Sequence, residues 1–259
     1  MRSSEWVSFV YFAALTAIAW VRPLPAVRRV QITAISLFSC IGLVAIARVG
    51  TPWVRDWTPP LVILAGYFLS GRFFVQPSSS FERWLIGWDR RLLGDPSTRF
   101  ARWPRVLLAY LEIVYMGCLV LVPAGFAVLA WSGRASLADS YWTLVIAAEF
   151  GSFAPLSVIQ TRPPWMVERK AMLPDQSIHR AATLMVEHLT IRANTFPSGH
   201  VAGSLAVALA VIRVLPGAGL VFLALAASIA VACVVGRYHY VIDVVAGVGL
   251  TLAIWAVVT

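Results

Sequence analysis

A chain of 259 residues in which 59% are hydrophobic and only 13% charged carries about half the charge of a soluble domain, which excludes an ordinary water-soluble enzyme. It is long enough for one integral membrane domain and too short for a membrane part plus a large soluble one. The formal charge is +9, yet nothing resembles a nucleic-acid-binding motif, and basic loops meeting anionic lipid head groups account for the excess.

A spanning helix needs roughly 20 apolar residues. Eight segments approach that length: 5–21, 30–49, 58–75, 106–131, 141–160, 199–215, 218–236 and 241–258. The first follows Arg2 but has no small-x-small cleavage site before Arg22, so it reads as a retained helix rather than a signal peptide. The loop 76–105 interleaves Phe81, Trp84, Leu85, Ile86 and Trp88 with Arg83, Arg90 and Arg91 at roughly helical spacing, which predicts a helix lying at the membrane interface. Glu112 and Glu149 fall inside apolar runs and read as paired with an arginine or protonated between helices. The loop 161–198 runs from Thr161-Arg162-Pro163-Pro164-Trp165 to Pro197-Ser198, and Ser177 is placed to cap a short helix through about Leu189. His179 and His188 in that loop read as solvated. The last three segments are rich in Ala, Gly and Val, which permits close helix packing. Cys40, Cys118 and Cys233 lie in apolar stretches without metal-ligand spacing and read as buried hydrophobes.

The fold class expected from these segments is all-α, a polytopic membrane bundle of about eight transmembrane helices. An even number of spans puts both termini on one side and the loops 22–29, 76–105, 161–198 and 237–240 on the other. Those loops hold most of the arginines, so the positive-inside rule makes that face cytoplasmic. The segments ending at Thr161 and starting at Ser198 and His239 all open on it, so three polar stretches share one end of the bundle.

Those stretches hold the chemistry. His239 and Asp243 are i and i+4 and share a helix face, so the carboxylate can hold one ring nitrogen and leave the other free. Pro197-Ser198-Gly199 opens a helix whose free N–H groups and dipole favour an anion. His200 and His239 suit a nucleophile and an acid, or two metal ligands, and His200, His239 and Asp243 would make a three-ligand zinc set. Arg162 and Arg237 beside them disfavour a dication and suit a phosphoryl group. In the nucleophilic reading His239 attacks phosphorus with Asp243 fixing its tautomer, and His200 protonates the departing oxygen and then activates an acceptor. Arg162, Arg237, Ser198 and the Gly199 N–H steady the equatorial oxygens. Arg192 and Asn194, just before the helix, are secondary candidates for head-group contact.

Arg162-Pro163, then Pro197-Ser198-Gly199-His200, then His239-x-x-x-Asp243 with Val244-Val245-Ala246-Gly247 behind it, resemble in order the three-part signature of the type 2 phosphatidic acid phosphatase superfamily. The resemblance covers roughly 58–259 and implies two accessory helices over 1–52 and a six-helix catalytic core over 53–259. It implies His239 as nucleophile, His200 as acid, no metal and no cofactor. It also implies a lipid phosphate monoester or diphosphate drawn from the bilayer as substrate, and a site on the periplasmic or extracellular face of a bacterial plasma membrane, against the arginine count. Two positions depart from the family pattern: Pro155 stands where a lysine is usual and Cys233 where an arginine is usual, with Arg237 as a substitute. Arg237-Tyr238-His239-Tyr240 resembles the branch that includes inositol phosphorylceramide synthases, which implies as the alternative a phosphotransferase moving a phosphoryl head group between lipids or to an inositol or sugar acceptor.

Overall fold

The computed structural model describes residues 1–168 and 190–258; the helix expected from Ser177, with His179 and His188, lies outside them. The described residues form thirteen α-helices in chain order: α1 (Ser3–Val21), α2 (Ala26–Val49), α3 (Pro52–Trp57), α4 (Pro59–Gly71), α5 (Ser79–Leu93), α6 (Pro96–Phe100), α7 (Arg105–Met116), α8 (Cys118–Trp131), α9 (Ala138–Phe153), α10 (Pro164–Val167), α11 (Gly199–Ile212), α12 (Pro216–Val235) and α13 (Val241–Val258). Proline supplies the first turn of α3, α4 and α12, where its missing N–H costs nothing. No strand is present among the described residues beyond one isolated bridge between Thr161 and Asn194.

All eight apolar segments are helical, but they do not all reach spanning length. Four helices do so alone, namely α1, α2, α12 and α13. The expected span 106–131 breaks at Gly117 into α7 and α8, bent by 62°, and counts as a fifth only as a pair. Helices α4, α9 and α11, of 13, 16 and 14 residues, are about 20–24 Å long, short of a hydrocarbon layer about 30 Å thick. Local sequence sets these limits: Pro59 starts α4, and α9 gives way to a 3₁₀ turn over Ala154–Ser157 that contains Pro155.

The short helices lie inside. Helix α9 is buried on every face, from Tyr141 to Phe153, and packs against α1, α4, α11 and α13. By contrast, α2 and α13 are only 17% buried across their most apolar windows and present Val, Leu and Ile outward to lipid. One end of the bundle is fastened by charge: Arg55 grips Glu5 at 2.7 Å, Arg2 pairs with Asp56, and Asp139 accepts the N–H groups of Ser3 and Ser4. The opposite end, where α9 finishes and α11 and α13 begin, carries the polar stretches.

Candidate active site

Main-chain bonds assemble this end. The Ser198 N–H donates to the Asp243 carbonyl at 3.0 Å, the Trp165 N–H to the Arg237 carbonyl at 3.0 Å, and the Tyr240 hydroxyl to the Arg162 carbonyl at 3.2 Å. Asn194 is buried and pairs with Thr161 through both backbone and side-chain Nδ2, which clasps the two stretches together, while its Oδ1 has no partner. Gly247 lets α13 come this close, since a Cβ there would stand 2.9 Å from the Ser198 carbonyl oxygen.

The two histidines meet. Nδ1 of His200 lies 3.3 Å from Nε2 of His239, and Nδ1 of His239 lies 3.4 Å from Oδ2 of Asp243. Oδ2 also accepts the Tyr240 N–H at 2.9 Å, while Oδ1 is buried without a partner. The tautomer that satisfies these contacts puts a proton on Nδ1 of His239 and a lone pair on its Nε2, towards which Nδ1–H of His200 donates. Tyr115 stacks on the His200 ring and on Tyr238.

Arg162 and Arg237 are both engaged in ion pairs, with Arg237 Nε left without a partner. Arg162 gives its backbone N–H, Nε and Nη2 to Glu82, whose carboxylate raises the guanidinium further above its ordinary value. Arg237 is 2% exposed and divides Nη1 and Nη2 between Asp89 and Glu168 at 2.7 and 2.8 Å. Its φ of 59° is a left-handed backbone uncommon outside glycine, held by those ion pairs. Asp89 also caps α13 through the Val241 N–H; burial pushes its carboxyl up, against the pull of Arg237. Both Glu82 and Asp89 come from α5, the expected interface helix, whose inward face is Glu82, Leu85 and Asp89. Sequence reading saw the aromatics and arginines of that helix and missed the acidic pair, although a seven-residue spacing marks one helical face. The helix opening is also partly used, since the Gly199 N–H donates to Thr195 Oγ1 at 3.3 Å; Ser198 Oγ is buried and finds no partner.

Two cavities adjoin the histidines. A neck of about 30 Å³ is lined by His200, His239, Arg192, Thr195, Trp165 and Tyr238. A larger cavity of about 350 Å³ reaches into the bundle between α4, α8, α9 and α11, walled by Ile63, Phe68, Leu119 and Phe153 and ending at His200, Ser204 and Glu149. His200, Tyr67, Tyr115, Thr190 and Thr195 line both. Thus Arg192, rather than Arg162 or Arg237, is the arginine on the neck wall. Glu149 was expected to be either paired with an arginine or protonated between helices; it is buried and has no ion pair or hydrogen bond among the described residues.

One further group was unexpected. His200, Cys233 and His239 hold their ligand atoms within 4.8 Å of one another. Cys233 is therefore part of the site, not only a buried hydrophobe. The helical span that separates it from His200 in sequence gave no metal-ligand spacing to find.

A family model of the PAP2 superfamily matches residues 83–257, which include every motif residue above. The chain belongs to the PAP2 superfamily. Comparison with curated proteins and with solved structures gave no match. Membership carries phosphatase- or phosphotransferase-type chemistry, and it agrees with an all-helical membrane bundle whose three motif stretches converge at one end.

Proposed function

We propose that the protein is a membrane-embedded lipid phosphatase that hydrolyses a lipid phosphate monoester or diphosphate through a phosphohistidine, without a metal, on the periplasmic or outer face of a bacterial plasma membrane. The observation that carries this reading is His239 Nε2 facing His200, with Asp243 behind the nucleophile. The lone pair on Nε2 attacks phosphorus; the bond from phosphorus to the lipid oxygen breaks, and that oxygen takes a proton from the imidazolium of His200. Water then gives a proton to His200 while its oxygen attacks phosphorus, the P–N bond breaks, and phosphate leaves. Asp243 steadies the positive charge on the phosphorylated ring.

At 3.3 Å the two nitrogens are too close for a phosphoryl group to lie between them. Substrate entry requires the His200 ring to turn towards the larger cavity it already lines. The neck and its Arg192 then take the head group, and the apolar cavity takes a hydrocarbon chain. Arg162 has Nη1 left over for an equatorial oxygen, whereas Arg237 acts mainly by holding the turn before His239.

A phosphotransferase is the second reading, favoured by the larger cavity ending at His200 rather than His239. A lipid alcohol lodged there presents its hydroxyl to the residue that activates the acceptor. Purified protein incubated with ³²P-labelled lipid phosphates in chelator separates the two. Free phosphate supports hydrolysis, a labelled second lipid supports transfer, and no product from any donor refutes both.

A further inference from the structure

We propose that His200, Cys233 and His239 form a binding site for a borderline-soft divalent cation such as Zn²⁺, and that its occupancy and phosphoryl transfer exclude each other. The cation site stands on geometry alone; the exclusion rests on the phosphatase reading above.

The ligand set is of the right kind. Two imidazoles and a thiol suit zinc, and three protein ligands leave a fourth position for water. With zinc–nitrogen bonds of about 2.0–2.1 Å, two nitrogens at a tetrahedral angle stand about 3.3–3.4 Å apart. The observed separation of His200 Nδ1 and His239 Nε2 is 3.3 Å. The sulfur lies within 4.8 Å of a nitrogen of each ring. A tetrahedral nitrogen–sulfur edge is about 3.6 Å, so the thiol closes the set by moving about 1 Å. Asp243 already does what a zinc-bound imidazole needs, since its carboxylate holds the ring nitrogen that faces away from the cation.

The electrostatics agree. Two guanidinium groups, Arg162 and Arg237, stand among four carboxylates, Glu82, Asp89, Glu168 and Asp243. The charge of these two arginines is thereby compensated, which leaves Arg192 as the guanidinium on the neck wall. Position 233 carries a neutral thiol, and ligation releases its proton. His200 and His239 both line the neck, which gives the ion its route in. A cation on Nε2 of His239 occupies the lone pair that attacks phosphorus, so the ion switches the enzyme off.

The test uses full-length protein in detergent, stripped of metal and titrated with Co²⁺. One equivalent is expected to give a thiolate-to-cobalt charge-transfer band that Zn²⁺ abolishes. Cys233→Ser is expected to remove the band, whereas Cys40→Ser and Cys118→Ser retain it. X-ray absorption at the zinc edge of the unsubstituted protein is expected to show one sulfur and two imidazole nitrogens, independently of any variant. Phosphate release is expected to fall with Zn²⁺ and return with chelator, and the half-inhibiting concentration is expected to rise at least about tenfold in Cys233→Ser relative to that variant's own metal-free rate, one lost ligand being worth about 1.4 kcal/mol or more. No band at equimolar Co²⁺, a band unchanged in Cys233→Ser, a sulfur-free zinc spectrum, or Zn²⁺ that raises turnover would each overturn the proposal. A band without phosphate release from any lipid phosphate overturns the phosphatase reading and supports the cation site; release without a band does the reverse.

Discussion

Replacing Asp243 by asparagine removes a charge but keeps the side chain's shape, and the contacts of the carboxylate set the cost. Oδ2 alone accepts both the Tyr240 N–H and the His239 Nδ1–H, at 2.9 and 3.4 Å, and Oδ1 has no partner. An asparagine can therefore put its carbonyl oxygen where Oδ2 was and keep both bonds. The flipped amide would turn its NH₂ against the Tyr240 N–H, a backbone donor that cannot reverse. The histidine tautomer is thus preserved. In the serine-protease triad the corresponding substitution inverts the tautomer and drops the rate roughly 10⁴-fold. Here the loss is only the difference between a charge-assisted and a neutral hydrogen bond, about 1–2 kcal/mol, or roughly 5–30-fold in turnover. The buried NH₂ also lowers stability by about 1–3 kcal/mol. Asp243→Ala is expected to lose more activity, because it frees the ring and orphans the Tyr240 N–H. The assay is phosphate release from the best lipid donor, paired with ¹⁵N spectra of the histidines. A 10⁴-fold loss in Asp243→Asn, or a proton found on Nε2 of His239, would refute the reasoning.

Turnover is expected to vanish in His239→Ala and in His200→Ala and to persist in His179→Ala, read by the same release assay. Gly203→Ala places a Cβ on Oε1 of Glu149 and is expected to lower stability by about 1–3 kcal/mol through overpacking between α9 and α11. Truncating the obstacle in Gly203→Ala/Glu149→Ala is expected to restore the unfolding midpoint; no rescue would show that the strain lies elsewhere. Asp89→Ala leaves Arg237 buried with Glu168 alone and takes the acceptor from the Val241 N–H, a loss of about 3–5 kcal/mol. Asp89→Asn keeps an acceptor for that N–H, so its thermal unfolding in detergent is expected to fall between Asp89→Ala and the unsubstituted protein.

The sequence told much of this because much of it is local. A run of apolar residues makes a helix in a membrane whatever its neighbours do, and proline and glycine mark its ends. The i, i+4 pairing of His239 with Asp243 is local too, and the approach of His200 follows from the parity of the helices between them. What sequence could not show depends on distant partners. Nothing near Arg237 announces Asp89, 148 positions away, or tells that Nη1 and Nη2 are both committed. Spanning length was overcounted because apolar character continues through Gly117 and Pro155 while the helix does not. The nearness of Cys233 to the two histidines was hidden because spacing is judged along the chain, whereas here α12 returns it to the start of α11.

The bonds that join Ser198 to Asp243 and Trp165 to Arg237 run between main-chain atoms. Every amino acid but proline supplies the same donor and acceptor, so these two bonds do not themselves depend on which side chains the positions carry. The reactive groups hang from that framework as exchangeable fittings. Neither Cys233 nor Pro155 takes part in these two bonds, so a different side chain at either place leaves both bonds in position. The scaffold that brings the motif stretches together is thus separable from the side chains that it presents.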